Sequence, residues 1–289
     1  MRAVPLIFFL SFLIAGCGGG SDDSGDGSSP PPPGGSTIIT SSNYLDAAAV
    51  AYVAAARLEF ANDLIDAAFE TVLNTFDIPG TYPCLYGGTV SYTRSGSVYT
   101  FTVANCDTDV GGQRITMPSG KLTVKDPVVQ TTSAGYFLTS ATTALTDAAF
   151  VESGAVSVGN GSANLSSTVT SSTTASATAS GGTLSILRAG RTDSYTQINV
   201  TSSVTLFNGN TLTGGSFKIS TPRAPGALTV SATSTSLTAT AGDNSQVVLT
   251  TADRVNYKIE YVVGIVVEAT ITGNAESGEF AEAIARALQ

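Results

Sequence analysis

The chain has no histidine and no tryptophan in 289 residues, only three cysteines, and 13 Lys and Arg against 22 Asp and Glu. Each shortage closes a class of chemistry. Without His there is no Ser-His-Asp or Cys-His activation, no imidazole metal ligand, and no side chain that titrates unperturbed near neutrality. A Ser-Lys dyad of the Ser-x-x-Lys kind is excluded as well. The positions three residues before Lys121, Lys125, Lys218 and Lys258 hold Pro118, Leu122, Gly215 and Val255. No Cys-x-x-Cys pair offers thiol exchange. A formal charge of −9 with no basic stripe argues against a nucleic-acid partner, and it repels anionic lipid surfaces. Proline is absent from 128 to 221, which suits long uninterrupted strands.

The N-terminus is the most informative segment present. Arg2 precedes an apolar run over 6–13, which ends in Ile14-Ala15-Gly16-Cys17. A positive start, a short apolar stretch and small residues before a cut define a secretory signal peptide, here 1–16. The stretch is too short for a permanent membrane span. With Cys as the first residue after the cut, the segment resembles the lipobox of bacterial lipoproteins. That resemblance implies that Cys17 is the lipid attachment site and that the membrane is a partner through an N-terminal lipid. Two or more acyl chains anchor stably where one does not. Gly18 stands where an Asp would signal inner-membrane retention, so the resemblance implies an outer-membrane lipoprotein, with the periplasmic or surface side left open. Residues 17–42 read as a lipidated tether: 21–27 are Ser, Asp and Gly, which favour disorder, and Pro30-Pro31-Pro32-Pro33 is a short polyproline II spacer.

With Cys17 assigned to lipid, Cys84 and Cys106 remain. In an oxidising compartment an even remainder reads as one disulfide; two free thiols or half a metal site are the alternatives. Cys84-Leu85-Tyr86-Gly87-Gly88, the strand 101–106 ending in Cys106, and Gly120-Lys121-Leu122-Thr123-Val124 together resemble uncharacterised β-rich envelope lipoproteins. The resemblance implies a structural staple and brings no activity with it.

Asn43 is a good N-cap, and 43–78 reads as an amphipathic helical segment, stopped by Pro79-Gly80. Leu45, Ala49, Tyr52, Ala56 and Phe60 form one stripe; Leu58, Ala61, Ile65, Phe69, Val72 and Phe76 form a second, rotated from the first. Two helices, or one long helix with different partners along its length, both explain the rotation. Asn62, Asp63, Asp66, Glu70 and Asn74 are expected on the polar side.

Residues 79–289 read as an antiparallel β domain: strands of period two from Gly87 to about Gly273, closed by a short helix over 278–289. Turn signals at Gly111-Gly112, Gly159-Asn160-Gly161, Gly181-Gly182, Asn208-Gly209-Asn210 and Gly242-Asp243-Asn244 predict antiparallel hairpins. The expected fold is mainly β with an N-terminal helix (α+β): a large antiparallel meander sheet, curved or half-barrel, capped by helix 44–77.

The candidate sites are sparse. Asp107-Thr108-Asp109 has acceptor spacing seen in Ca²⁺ loops but lacks the further ligands, so it reads as a solvated turn. Glu260 and Glu268 could form an acid/base pair for glycoside chemistry, although exposed strand surface is the simpler reading. The run Tyr261-Val262-Val263-Gly264-Ile265-Val266-Val267 reads as a central strand buried on both faces, or as the lining of an apolar cavity. No catalytic residue, metal site or cofactor is expected. The expected function is that of an envelope lipoprotein with a structural or binding role. The alternatives are a carrier of lipid or another apolar ligand in a β cavity, and a surface-displayed adhesin-like protein.

Overall fold

A computed structural model describes residues 38–289 except 75–77, 111–112, 207–208 and 225. Cys17 and most of the expected tether lie outside the described residues. Fourteen strands form one antiparallel sheet in sequence order: β1 (Gly80–Pro83), β2 (Gly87–Ser95), β3 (Val98–Val110), β4 (Gln113–Thr131), β5 (Tyr136–Glu152), β6 (Ala155–Val169), β7 (Thr174–Arg188), β8 (Arg191–Thr205), β9 (Gly209–Ser220), β10 (Ala227–Thr233), β11 (Ser236–Thr240), β12 (Gln246–Thr251), β13 (Asn256–Val263) and β14 (Val266–Asn274). Every strand pairs only with its chain neighbours, so β1 and β14 are free edges and the sheet does not close. Helix α1 (Tyr44–Asn74) precedes the sheet, and α2 (Gly278–Leu288) follows it.

The two rotated stripes belong to one helix. At 1.5 Å per residue, 31 residues span roughly 46 Å, and α1 touches β3, β4 and β5 as well as β9, β11, β12 and β13. A single sheet reaches one helix from both flanks only by curling around it. α2 packs beside α1 and β14 through Phe280, Ala281, Ala283, Ile284, Ala287 and Leu288. The first half of α1 is therefore enclosed rather than amphipathic: the five successive residues Ala47, Ala48, Ala49, Val50 and Ala51 are all buried. A helix apolar all round is a core helix, and the small side chains let sheet and α2 approach closely. Leu58 and Ile65 of the second stripe are buried as expected, but Asp63 is not solvated, because its carboxylate accepts the Asn210 N–H at 2.6 Å. The side chains of Asp66, Phe69, Glu70, Val72, Asn74 and Phe76 lie outside the described residues. Asn43 holds the N-cap position, its carbonyl accepting the Ala47 N–H at 3.0 Å, while its side chain ties back to the preceding turn: Oδ1 accepts from the Thr40 N–H, and Nδ2 donates to the Ile38 carbonyl. Residues 38–42, expected in the tether, thus join the domain, and buried Ile39 donates its N–H to Ser245 Oγ at 2.9 Å.

Two of the expected turns lie inside strands. Gly159-Asn160-Gly161 belongs to β6, and Gly181-Gly182 to β7. The actual hairpins form at Ser153-Gly154 and Ala189-Gly190, where Ser153, Gly154, Ala189 and Gly190 all take positive φ. The strand glycines serve curvature instead. A Cβ on Gly182 (φ +77) would sit 1.9 Å from the Ser162 carbonyl oxygen, beside the register shift between Ser162 and Asn164. Gly215 (φ +99) meets the Asn199 oxygen at 2.1 Å next to another shift, between Thr196 and Asn199. Bulges and glycine kinks of this kind coil a sheet. Pro127 is accommodated by the same device: Asp126 takes φ +51, and the β4–β5 register skips from Lys125 to Val128.

Candidate functional site

Cys84, in the β1–β2 turn, is bonded to Cys106 of β3 with a Cα–Cα distance of 5.5 Å. The bond ties the first edge of the sheet to its third strand. That edge is also guarded: β1 has four residues and ends in Pro83, which blunts edge-to-edge pairing. Beside the disulfide, Arg114 clasps Asp107 through Nε at 3.0 Å and Nη2 at 2.6 Å and lies over the Tyr86 ring, 4.5 Å from its centroid. The Arg114 hydrogen bonds hold the Asp107 carboxyl below its usual range. Asp109 accepts from the Tyr86 hydroxyl at 3.0 Å. Asp107-Thr108-Asp109 is therefore strand, not a solvated turn, and its carboxylates are taken up by neighbours. Among the described residues no group of three His, Cys, Asp or Glu side chains is placed to hold a metal ion.

Replacing Cys84 and Cys106 together by Ser should lower the unfolding free energy by about 3 kcal/mol for a loop of this length. Chemical denaturation of reduced-and-alkylated or double-Ser protein measures it. An unchanged midpoint would show that the staple constrains nothing.

Glu260 is engaged by Lys258 at 2.7 Å on the outer surface of β13, and Glu268 is the extra residue of a bulge in β14, between Val267 opposite Val262 and Ala269 opposite Tyr261. The run 261–267 is not a buried central strand. It is the β13–β14 hairpin at the far edge of the sheet, with Val263, Ile265, Val266 and Val267 exposed.

The densest chemistry in the molecule went unnoticed in the sequence. Arg57 of α1, with 2% of its side chain exposed, donates from Nε (3.1 Å) and Nη2 (2.8 Å) to both oxygens of Glu152 at the end of β5, and from Nη1 to Asp193 of β8 at 2.6 Å. Arg188, ending β7, donates to the Glu152 carboxylate at 3.0 Å and to its backbone carbonyl at 2.6 Å. Arg223, between β9 and β10, donates to both Asp193 oxygens at 2.9 and 3.0 Å. Ser157 adds its hydroxyl to Glu152. These residues meet because alternate turns of a meander fall at the same end of the sheet. Burial pushes the Glu152 carboxyl up, but the hydrogen bonds and charge of Arg57, with Arg188 and Ser157, outweigh it and leave the group below its usual value. Burial pushes the neighbouring Tyr195 hydroxyl up. Three guanidiniums thus surround two carboxylates under α1, leaving one formal positive charge in excess, with Nε and Nη2 of Arg223 buried and without a hydrogen-bond partner among the described residues. The one local signal was a charge inside the apolar stretch Ala54-Ala55-Ala56-Arg57-Leu58.

Comparison with protein-family models, with curated proteins and with solved structures finds no match to this chain. No role is therefore lent by likeness.

The remaining feature is a cavity of about 40 Å³ between α1 and strands β5–β8, lined by Leu58, Ile65, Leu145, Leu184, Ile198 and Val200 among others. For scale, an apolar cavity of roughly 150 Å³ admits a benzene ring.

Proposed function

We propose that the chain is a lipid-anchored envelope protein whose folded domain has a structural or binding role without catalysis. The observation that carries this reading is the burial of α1 against the sheet through Ala47 to Ala51, Leu58 and Ile65, with a cavity of only about 40 Å³ beside it among the described residues. A carrier of acyl chains needs an apolar volume, and here the helix occupies the trough, locked there by Arg57, Glu152 and Asp193. In the buried cluster both carboxylates, Glu152 and Asp193, are engaged by arginines. Ile14-Ala15-Gly16-Cys17 supports the anchor, and the acidic balance of the chain leaves lipid, not charge, to hold it at a membrane.

The test is a pair of measurements on protein purified from envelopes. Mass spectrometry should find acyl groups on Cys17, and Cys17→Ser should move the protein out of the detergent phase. Native mass spectrometry should find no stoichiometric non-covalent lipid. A Cys17→Ser protein that still carries lipid overturns the anchor, and one bound lipid per domain makes it a carrier.

A further inference from the structure

The β13–β14 hairpin ends in a two-residue turn, Gly264-Ile265, between the paired residues Val263 and Val266. Gly264 at φ +62 supplies the positive φ that the first central position of a type II′ turn requires. The second position tolerates almost any residue and is commonly polar; here it is Ile265, 99% exposed. Val263, Val266 and Val267 are about half exposed around it. Successive pairs of a hairpin point to opposite faces, so the Val263–Val266 and Val262–Val267 pairs make this finger apolar on both sides. No residue from 261 to 267 is charged. At its base Tyr261 stacks on Tyr44 with ring centroids 5.9 Å apart, which anchors the hairpin to α1.

The point where the chain enters the fold bears on what could cover this finger. Gln246, the first residue of β12, lies opposite Val262, and the preceding Ser245 receives the Ile39 N–H. The chain arriving from Cys17 therefore enters the fold at the same corner of the sheet as the finger, one strand away, with exposed Ile38 beside it. Twenty residues lie between Cys17 and Ile38. A chain of that length reaches at most roughly 70 Å. The bulged Glu268 on the edge strand opposes strand-on-strand pairing with a second copy.

We infer that the Val262–Val267 finger inserts into the lipid bilayer surface beside the anchor, seating the domain on the membrane by one corner. This rests on the lipoprotein reading for the presence of a membrane. The contact is apolar: with Asp243 and Glu268 nearby, it needs no anionic lipid and survives high salt.

The chain lacks Trp, so Ile265→Trp gives a single reporter, and Tyr136→Trp, at the β4–β5 turn on the opposite end of the sheet, gives its control. Full-length protein is mixed with phosphatidylcholine vesicles, with and without brominated chains, at low salt and at ~0.5 M salt. Emission of the Ile265→Trp variant should shift to shorter wavelength and be quenched by bromine at both salt levels, while the Tyr136→Trp variant keeps its aqueous emission. Val263→Trp should behave like Ile265→Trp and lose its shift when combined with Ile265→Asp. An unshifted Ile265→Trp spectrum at saturating vesicle overturns the proposal, acylated or not. So does a shift that requires anionic lipid, or one that grows with protein concentration in the absence of vesicles, which would mean a second copy covers the finger. Mass analysis of Cys17 on the same samples reports separately on the anchor.

Discussion

Arg57→Met should destabilise the fold by about 3 kcal/mol or more, among the largest effects of any single substitution in this chain. The guanidinium is buried and makes three hydrogen bonds to two carboxylates from different strands. Removing it leaves Glu152 to Arg188 and Asp193 to Arg223, so the carboxylates are not stranded, but each loses its shortest partner and α1 loses its tie to β5 and β8. Arg57→Lys should recover part of the loss, since an ammonium keeps the charge but cannot fork onto Glu152. The effect depends on pH in a defined direction. Glu152 in the folded protein titrates below its unfolded value of about 4.3, so its contribution is complete above that pH and is lost as pH falls through the folded value. The gap between parent and Arg57→Met in denaturant midpoint should therefore be widest near neutrality and narrow on acidification. A gap that stays constant down to about pH 3 would mean that Glu152 is not held by Arg57.

Phe280→Ala should cost a similar amount, roughly 3–5 kcal/mol, because the ring is 1% exposed and cannot be replaced by collapse of its neighbours. It makes edge contacts to Tyr52 of α1 and Tyr257 of β13, at 5.9 and 5.7 Å between centroids. Gly273 of β14 lies so close below it that a Cβ there would come within 2.8 Å of the Phe280 Cβ. Phe280 is thus the point where both helices and the closing edge of the sheet meet. The contrast is Arg286→Ala on the same helix. Arg286 pairs with Asp46 at 2.7 Å, but both side chains are about half exposed, so its removal should stay within about 0.5 kcal/mol. Thermal or urea unfolding of the two variants separates these readings. Equal losses would show that α2 is held by its surface charges rather than by its apolar face.

The sequence by itself determined the kinds of element and their order. Period two from residue 87 onward, tight turns and no room for helical crossovers leave a meander as the natural antiparallel solution, and the Ala-rich stretch after Asn43 is helical, although only the tertiary structure decides between one helix and two. Cysteine arithmetic brought Cys84 to Cys106. What only the tertiary structure decided is which side of each element meets what. A run such as 261–267 reads as core because apolarity is local and burial is not. Its place as the last hairpin of an open sheet leaves its tip without neighbours. The glycine pair at 181–182 has the same composition as a turn, but strand register makes it a bulge that bends the sheet. Arg57, Glu152, Asp193, Arg188 and Arg223 span more than 160 positions, and no periodicity links them. They converge because a curled meander stacks its alternate turns at one end and lays a helix across them, where water is excluded and each charge must take another as its partner.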